Sequence, residues 1–292
     1  MILVDMNQVC ISNLMVSLST TSNQVDDGLI RHMVLNSLLL YRSKFGKEYG
    51  ELVLCYDSKN YWRRKYFQYY KSNRKKDRER SSLDWTAIFD QINRIKEEIR
   101  THMPYKVVEV DGAEADDVIA ILCKDQGHRN IRLMNNMQPP QKVLILSADK
   151  DFMQLQKYKF VSQYNPIQKK FVVSDDPHQY VAEHILKGDR SDGIPNFLSD
   201  DDTFVNGKRQ RPLGKGKIQA WSVLSPEEFC SEQTAKNYER NRVLIDFDCI
   251  PQHVEEDVLN KYETIQPPSR GAMFTYFAQN KLNELMNHIT EF

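Results

Sequence analysis

Acidic side chains recur in this chain where short hydrophobic runs stop. Ile2-Leu3-Val4 ends at Asp5, and Leu52 to Tyr56 ends at Asp57. Val107 to Val110 leads into Glu114-Ala115-Asp116-Asp117. Val143 to Leu146 leads through Ser147-Ala148 to Asp149-Lys150-Asp151, and a later helical segment ends in Gly188-Asp189-Arg190-Ser191-Asp192. Any one such acid reads as a cap or turn residue, and Asp27, Asp84, Asp246 and Asp248 are left in that class. The joint pattern asks for more. If the strands are neighbours in a parallel sheet, their C-terminal ends form one mouth. An oxygen-lined mouth suits hard divalent cations. That many close carboxylates would otherwise repel one another and protonate. Two magnesium ions ~4 Å apart clamp a phosphodiester, lower the pKa of a bound water and stabilise the leaving oxygen. No histidine or lysine base is then required, which fits seven histidines that form no metal-binding cluster in the sequence. Magnesium keeps several waters, so some of Asp5, Asp57, Glu114, Asp116, Asp149, Asp151, Asp189 and Asp192 act through water.

The second constellation is basic. Between Lys59 and Arg80 lie ten Lys/Arg, two acids and six aromatics. A charge run is often only a solvated face. Interleaved aromatics change that reading, because ring faces stack on unpaired bases while cations such as Arg64, Arg74, Lys75 and Lys76 track phosphates. The third is Gly214-Lys215-Gly216-Lys217. It is not a P-loop, since no Ser or Thr follows. As a glycine-rich turn opening a helix it can offer backbone N–H groups to a duplex phosphate.

The elements that must position these groups follow from periodicity. Residues 1–5, 51–56, 107–110 and 143–147 read as buried strands. Asp27 to Phe45 has helical spacing, with Gly46 as a stop signal. In Asp84 to Met103, Trp85, Ile88, Phe89, Ile92, Ile95 and Ile99 form one stripe, Asp84 caps it and Pro104 ends it. A helix is expected at 115–126. Residues 127–141, polar and containing Pro139-Pro140, read as an inserted surface loop. Residues 160–173 read as a hairpin. Strand–helix alternation implies right-handed crossovers and a mostly parallel sheet. After Pro177 short helices are expected at 180–186, 217–223, 226–244, 255–263 and 271–288. The soft boundary lies near 175.

Bulk properties bound the rest. The chain has 292 residues, and 40 basic against 40 acidic side chains give net zero charge, so only charge distribution informs about partners. Five cysteines without a C-x-x-C pair indicate packed free thiols in a reduced compartment. No apolar run reaches the ~18 residues a membrane span needs, and no secretion signal is read at the N-terminus.

Taken together, Tyr61-Trp62-Arg63-Arg64, Tyr69-Tyr70-Lys71-Ser72-Asn73-Arg74, Glu114-Ala115-Asp116-Asp117, Ser147-Ala148-Asp149-Lys150-Asp151-Phe152 and Ile185-Leu186-Lys187-Gly188-Asp189 resemble the flap-endonuclease, or structure-specific 5′-nuclease, family. The ending, from Pro267-Pro268-Ser269-Arg270-Gly271 to Ile289-Thr290-Glu291-Phe292, resembles its phage members. The resemblance covers nearly the whole chain. It implies a PIN-like α/β nuclease core over 1–175, a helical arch at about 58–82, and a C-terminal helical domain over 176–292 with a helix–turn–helix variant that grips duplex. It implies 5′-to-3′ exonuclease, flap endonuclease and ribonuclease H action with two magnesium ions, manganese able to substitute. In a phage this removes RNA primers from lagging-strand fragments in the infected bacterial cytoplasm.

By position, Asp5, Asp57, Glu114, Asp116 and Asp149 match a first metal site, and Asp151, Asp189 and Asp192 a second. Asp117 matches a supporting or helix-start residue. Arg63 and Lys71 match basic residues at the scissile phosphate, and Tyr70 an aromatic that stacks on the terminal base. Expected partners are RNA–DNA hybrid and flap duplex, with a phage single-stranded-DNA-binding protein and sliding clamp, around a monomer. Two departures stand out. The usual Asp-Asn is Asp192-Gly193, and the G-x-G-x-K-T-A turn is loosened at Gly214 to Lys217 after an insertion from Asn196 to Arg211.

Three rival readings fit the sequence less well. A PIN-like single-strand endoribonuclease would not need the 57–80 stretch. A dehalogenase-type phosphatase wants a second Asp where Asn7 stands. A non-catalytic junction-binding protein would not need the full acid set.

Overall fold

The computed structural model describes residues 1–20 and 27–292, with the side chains of all of these except 19, 20 and 75–77. Four short apolar runs become strands buried along their whole length or nearly so: β1 (Ile2–Asp5), β2 (Leu52–Cys55), β3 (Lys106–Val108) and β4 (Val143–Leu146). They pair in parallel, and β5 (Val161–Asn165) and β6 (Lys170–Val172) extend the sheet, the last pair antiparallel. The order is β3-β2-β1-β4-β5-β6. β1 therefore sits between the two directions of winding, where the crevice of an open parallel sheet opens.

Side chains alternate across each strand. Ile2, Val4, Leu52, Leu54, Leu144 and Leu146 enter one core with α1 (Met6–Thr20), α2 (Asp27–Tyr49) and α5 (Trp85–His102). Leu3, Val53, Cys55, Val143 and Ile145 enter the other with α6 (Ala115–Asn135) and Phe152 of a 3-10 helix at Lys150–Lys157. Two short helices, α3 (Trp62–Tyr66) and α4 (Ser72–Arg80), carry the basic stretch between β2 and α5.

Beyond the sheet come α7 (Pro177–Lys187), α8 (Lys215–Trp221), α9 (Pro226–Phe229), α10 (Glu232–Ile245), α11 (Gln252–Thr264), α12 (Arg270–Gln279) and α13 (Asn283–Met286). Phe247, Val254 and Val258 close the α6 core, while Met273, Phe277, Leu285 and the C-terminal Phe292 close the other. Both cores are thus completed from the C-terminal third of the chain. Among the described residues no helix is long and apolar enough to cross a membrane.

Several boundaries differ from the sequence reading. α1 follows Asp5 directly and was not expected. α2 runs through Gly46 to Tyr49, because Gly50, at φ 94°, is the residue that leaves the helix. α6 continues to Asn135 through a stretch read as loop. There Gln126 and Asn130 are buried because they satisfy each other, and Asn130 also binds the Gln141 backbone through both amide atoms. The 226–244 helix is broken at Cys230, where Ser231 starts a new one with its own capping box.

Candidate active site

Parallel register explains how the acids meet. Asp5 pairs with Cys55 and Val4 with Leu146. The residues that follow each strand, Asp57 on one flank and Asp149 on the other, therefore emerge on the same edge as Asp5. A cavity of about 320 Å³ opens there. Asp5, Asp57, Asp116, Asp149, Asp151, Asp189 and Asp192 all line it, together with Lys71 and Arg74.

Backbone N–H groups anchor four of the acids. Asp5 accepts the Gln8 N–H (3.1 Å) and the Ser147 hydroxyl (3.0 Å). Asp57 accepts the Ala115 N–H (2.7 Å) at the start of α6. Asp149 caps the 3-10 helix by accepting the Asp151 N–H (2.9 Å). Asp189 accepts the Ser191 N–H (2.7 Å), the Ser191 hydroxyl (2.6 Å) and the Asp192 N–H (3.2 Å), which folds the 189–192 turn.

Crowding sets the electrostatics. Burial first, then the charges of Asp57 and Asp149, pushes the Asp5 carboxyl up to about 6. Burial and Asp149 push Asp116 well above the carboxylate range, and burial raises Asp57. Asp151 is pushed up to about 7 by burial, with the aspartates around it adding and His184 opposing. Asp189 goes the other way, since hydrogen bonds from His184 and Ser191 outweigh its burial. A pocket that makes several carboxylates hard to ionise together fits cations as its complement.

Glu114 does not line the cavity. It is 1% exposed, and its oxygens accept from Lys71 Nζ (2.6 Å), Arg63 Nη1 (3.0 Å) and the Tyr70 hydroxyl (3.0 Å). Despite burial, the Lys71 and Arg63 charges hold it below its ordinary value. Asp117, fully buried, closes the α6 capping box and accepts from Arg63 (2.7 Å) and the Trp62 indole (3.2 Å).

The expected phosphate and base contacts divide. Lys71 reaches the cavity, and Asp192 and Glu114 keep its ammonium protonated although burial opposes this. Its backbone is left-handed at φ 54°, pinned by its N–H on Asp192 O (2.7 Å). Arg63 does not line the cavity. It is 3% exposed and donates to Leu244 O (2.9 Å) as well as to Glu114 and Asp117. Tyr70 is 4% exposed, and its hydroxyl, between Glu114 and Asp192 (2.9 Å), is aimed inward rather than at a base. Arg74 pairs with Asp192 (2.7 Å), and exposed Arg64 lies over the Tyr61 ring. Lys75 and Lys76 belong to α4, but their side chains fall outside the described residues. Gly214, Lys215, Gly216 and Lys217 are exposed where α8 begins and do not line the cavity.

Gly193 explains one departure from the family pattern. It is buried at φ 76°, and a Cβ there would meet Tyr69 O at 2.9 Å. Glycine thus permits the close contact that ties residues 69–71 to the Asp192 turn.

Sequence reading missed His184. It projects from α7 between two of the acids, Nδ1 3.3 Å from Asp151 and Nε2 3.5 Å from Asp189. One ligand atom from each of the three lies within 4.8 Å of the others. The available signal was spacing, since His184 stands about a turn before the end of the helix that delivers Asp189. Gln8, which receives the Ala148 N–H (2.7 Å), was missed with α1.

Comparison with known proteins shows the family. Residues 1–184 match the model of the 5′-3′ exonuclease N-terminal resolvase-like domain, and 176–292 that of the C-terminal part of T4 RNase H. Ribonuclease H of Enterobacteria phage T4 is 34% identical over 306 aligned positions, covering 99% of this chain and 95% of that protein. Among solved structures, phage T5 D15 flap endonuclease in a pseudo-enzyme–product complex with DNA and metal ions is 17% identical. It has a TM-score of 0.57 and covers 90% of this chain and 99% of that one. The T5 D15 protein co-crystallised with metal ions gives 17% identity and 0.55, covering 89% and 96%. These last two speak for the fold. The chain belongs to the 5′-3′ exonuclease family and is a nuclease.

Proposed function

We propose that this nuclease cuts the 5′ strand of RNA–DNA hybrids and of flapped or nicked duplexes, and that it removes RNA primers during phage DNA replication in the host cytoplasm. The observation that carries the reading is the cavity in which seven aspartates, from Asp5 to Asp192, share the lining with Lys71 and Arg74. The raised Asp5, Asp116 and Asp151 carboxyls fit divalent cations, since cations relieve the repulsion that burial amplifies. When bound, two magnesium ions supply an activated water and stabilise the leaving oxygen.

The chain's own groups do the rest. Asp5, Asp57, Asp116 and Asp149 form one oxygen set; Asp151, Asp189 and Asp192 form the other. Lys71 and Arg74 stand where a phosphate entering the cavity exchanges their carboxylate partners for its own oxygens. Glu114 positions Lys71, and Arg63 with Asp117 positions Glu114. Arg64 with Tyr61 offers a stacked cation to an unpaired strand. The exposed Gly214 to Lys217 turn opens α8 toward duplex backbone. The names of the T4 relative and the DNA-bound T5 neighbour support the substrate class.

The test uses an RNA-primed duplex and a 5′-flap duplex, each with magnesium or with chelator. Short 5′ products are expected with magnesium and none with chelator. Asp149→Asn should lose cutting and keep binding. Equal cutting in chelator would end the proposal.

A further inference from the structure

The histidine between Asp151 and Asp189 gives the second oxygen set a nitrogen donor. We infer that His184 Nδ1 is a direct ligand of the second metal ion, beside Asp151, which makes that site a mixed nitrogen–oxygen site. The inference rests on the metal-dependent reading above and deepens it.

Three observations carry it. First, His184 Nδ1 is buried and has no hydrogen-bond partner among the described residues. It lies 3.3 Å from Asp151 Oδ1 without forming a hydrogen bond to it. When Nδ1 carries no proton, the two acceptors side by side repel unless a cation lies against both. Second, adjacent ligands on an octahedral ion with bonds of about 2.1 Å sit about 3 Å apart. The 3.3 Å separation is close to that edge without movement of either element. Third, the ring is held. Nε2 faces Asp189 Oδ2 at 3.5 Å, and Tyr180 packs edge-on at 5.7 Å one turn earlier on α7. A ligating imidazole commonly gives its other nitrogen to a carboxylate, which sets its tautomer. The chemical consequence is selectivity. Imidazole favours transition ions over magnesium, so this site should prefer manganese more than an all-oxygen site would. The competing arrangement is a protonated His184 that bridges the two carboxylates and never meets metal.

Manganese is the probe. The full-length protein, stripped of metal, is loaded with Mn²⁺ and examined by pulsed electron paramagnetic resonance. A directly bound ¹⁴N coupling is expected, replaced by a ¹⁵N coupling when histidine alone is ¹⁵N-labelled. This readout needs no variant. His184→Gln should abolish the coupling and weaken one Mn²⁺ by about tenfold or more. His178→Gln, an exposed position in the first turn of α7, should change neither. Bound Mn²⁺ with no nitrogen coupling in the wild type, or a coupling that survives in His184→Gln, overturns the inference and leaves the nuclease reading standing. No Mn²⁺ binding at all overturns both.

Discussion

Replacing Arg63 by methionine separates a buried structural role from a phosphate contact. The guanidinium is 3% exposed, and its partners Glu114 and Asp117 are 1% and 0% exposed. Methionine keeps much of the volume but leaves Asp117 without its cation. Lys71 still serves Glu114. Breaking such a buried pair costs about 3–5 kcal/mol. At roughly 2 °C per kcal/mol for a chain of this size, the melting midpoint should fall by about 6–10 °C. Adding Asp117→Asn removes the stranded charge, so Arg63→Met/Asp117→Asn should recover a large part of the loss, a non-additivity that a double-mutant cycle reads directly. Urea unfolding midpoints and thermal melts of the four proteins provide the measurement. Duplex affinity of Arg63→Met, taken well below its melt, should change little. An unaltered midpoint with a lost phosphate contact, seen as a shallower salt dependence of binding, would refute the argument.

Other outcomes follow from the same geometry. Lys71→Ala should lower the cleavage rate far more than duplex affinity, and an unchanged rate would remove Lys71 from the site. Gly193→Ala should cost about 1–3 kcal/mol through its left-handed backbone and the close Tyr69 carbonyl, and should slow cleavage by loosening the Asp192 turn. A variant as stable and active as the parent would contradict this. The pH prediction concerns metal-free protein. Asp5, Asp116 and Asp151 have folded pKa values raised above the unfolded 3.8, so the folded state holds more protons between about pH 4 and 7. Stability from these groups should therefore fall as pH rises through that window. Glu114 and Asp189, shifted downward, act below it. Melting midpoints in chelator and in magnesium check this, and magnesium should flatten the decline.

The acid edge was legible because it depends on two simple regularities, buried runs that pair in parallel and the first acid after each run. Strand ends at Asp5, Asp57 and Asp149 needed only that rule. What stayed hidden depends on contacts between distant segments. Arg63 reads as one more cation in a basic stretch until Leu244 and Asp117 are seen around it. Tyr70 reads as a stacking ring until its hydroxyl is found between Glu114 and Asp192. His184 is a lone histidine in sequence, and only the packing of α7 on the 3-10 helix puts Asp151 beside it. Helix ends were misread where local chemistry competes with tertiary burial. Gly46 costs α2 about 1 kcal/mol, yet Phe45 and Tyr49 on either side are buried and keep the helix going. Polar Asn130 reads as loop because its partners, Gln126 and the Gln141 backbone, are visible only in the fold.

The mechanism stands or falls on whether aspartates from both halves of the chain, Asp5 to Asp192, complete one two-metal centre. Anomalous scattering from a crystal soaked in Mn²⁺ tests this most directly. Two peaks ~4 Å apart are expected, one within the Asp5, Asp57, Asp116 and Asp149 set and one reached by Asp151, Asp189 and Asp192. A single peak, or two peaks with Asp189 and Asp192 turned away from both, would contradict it.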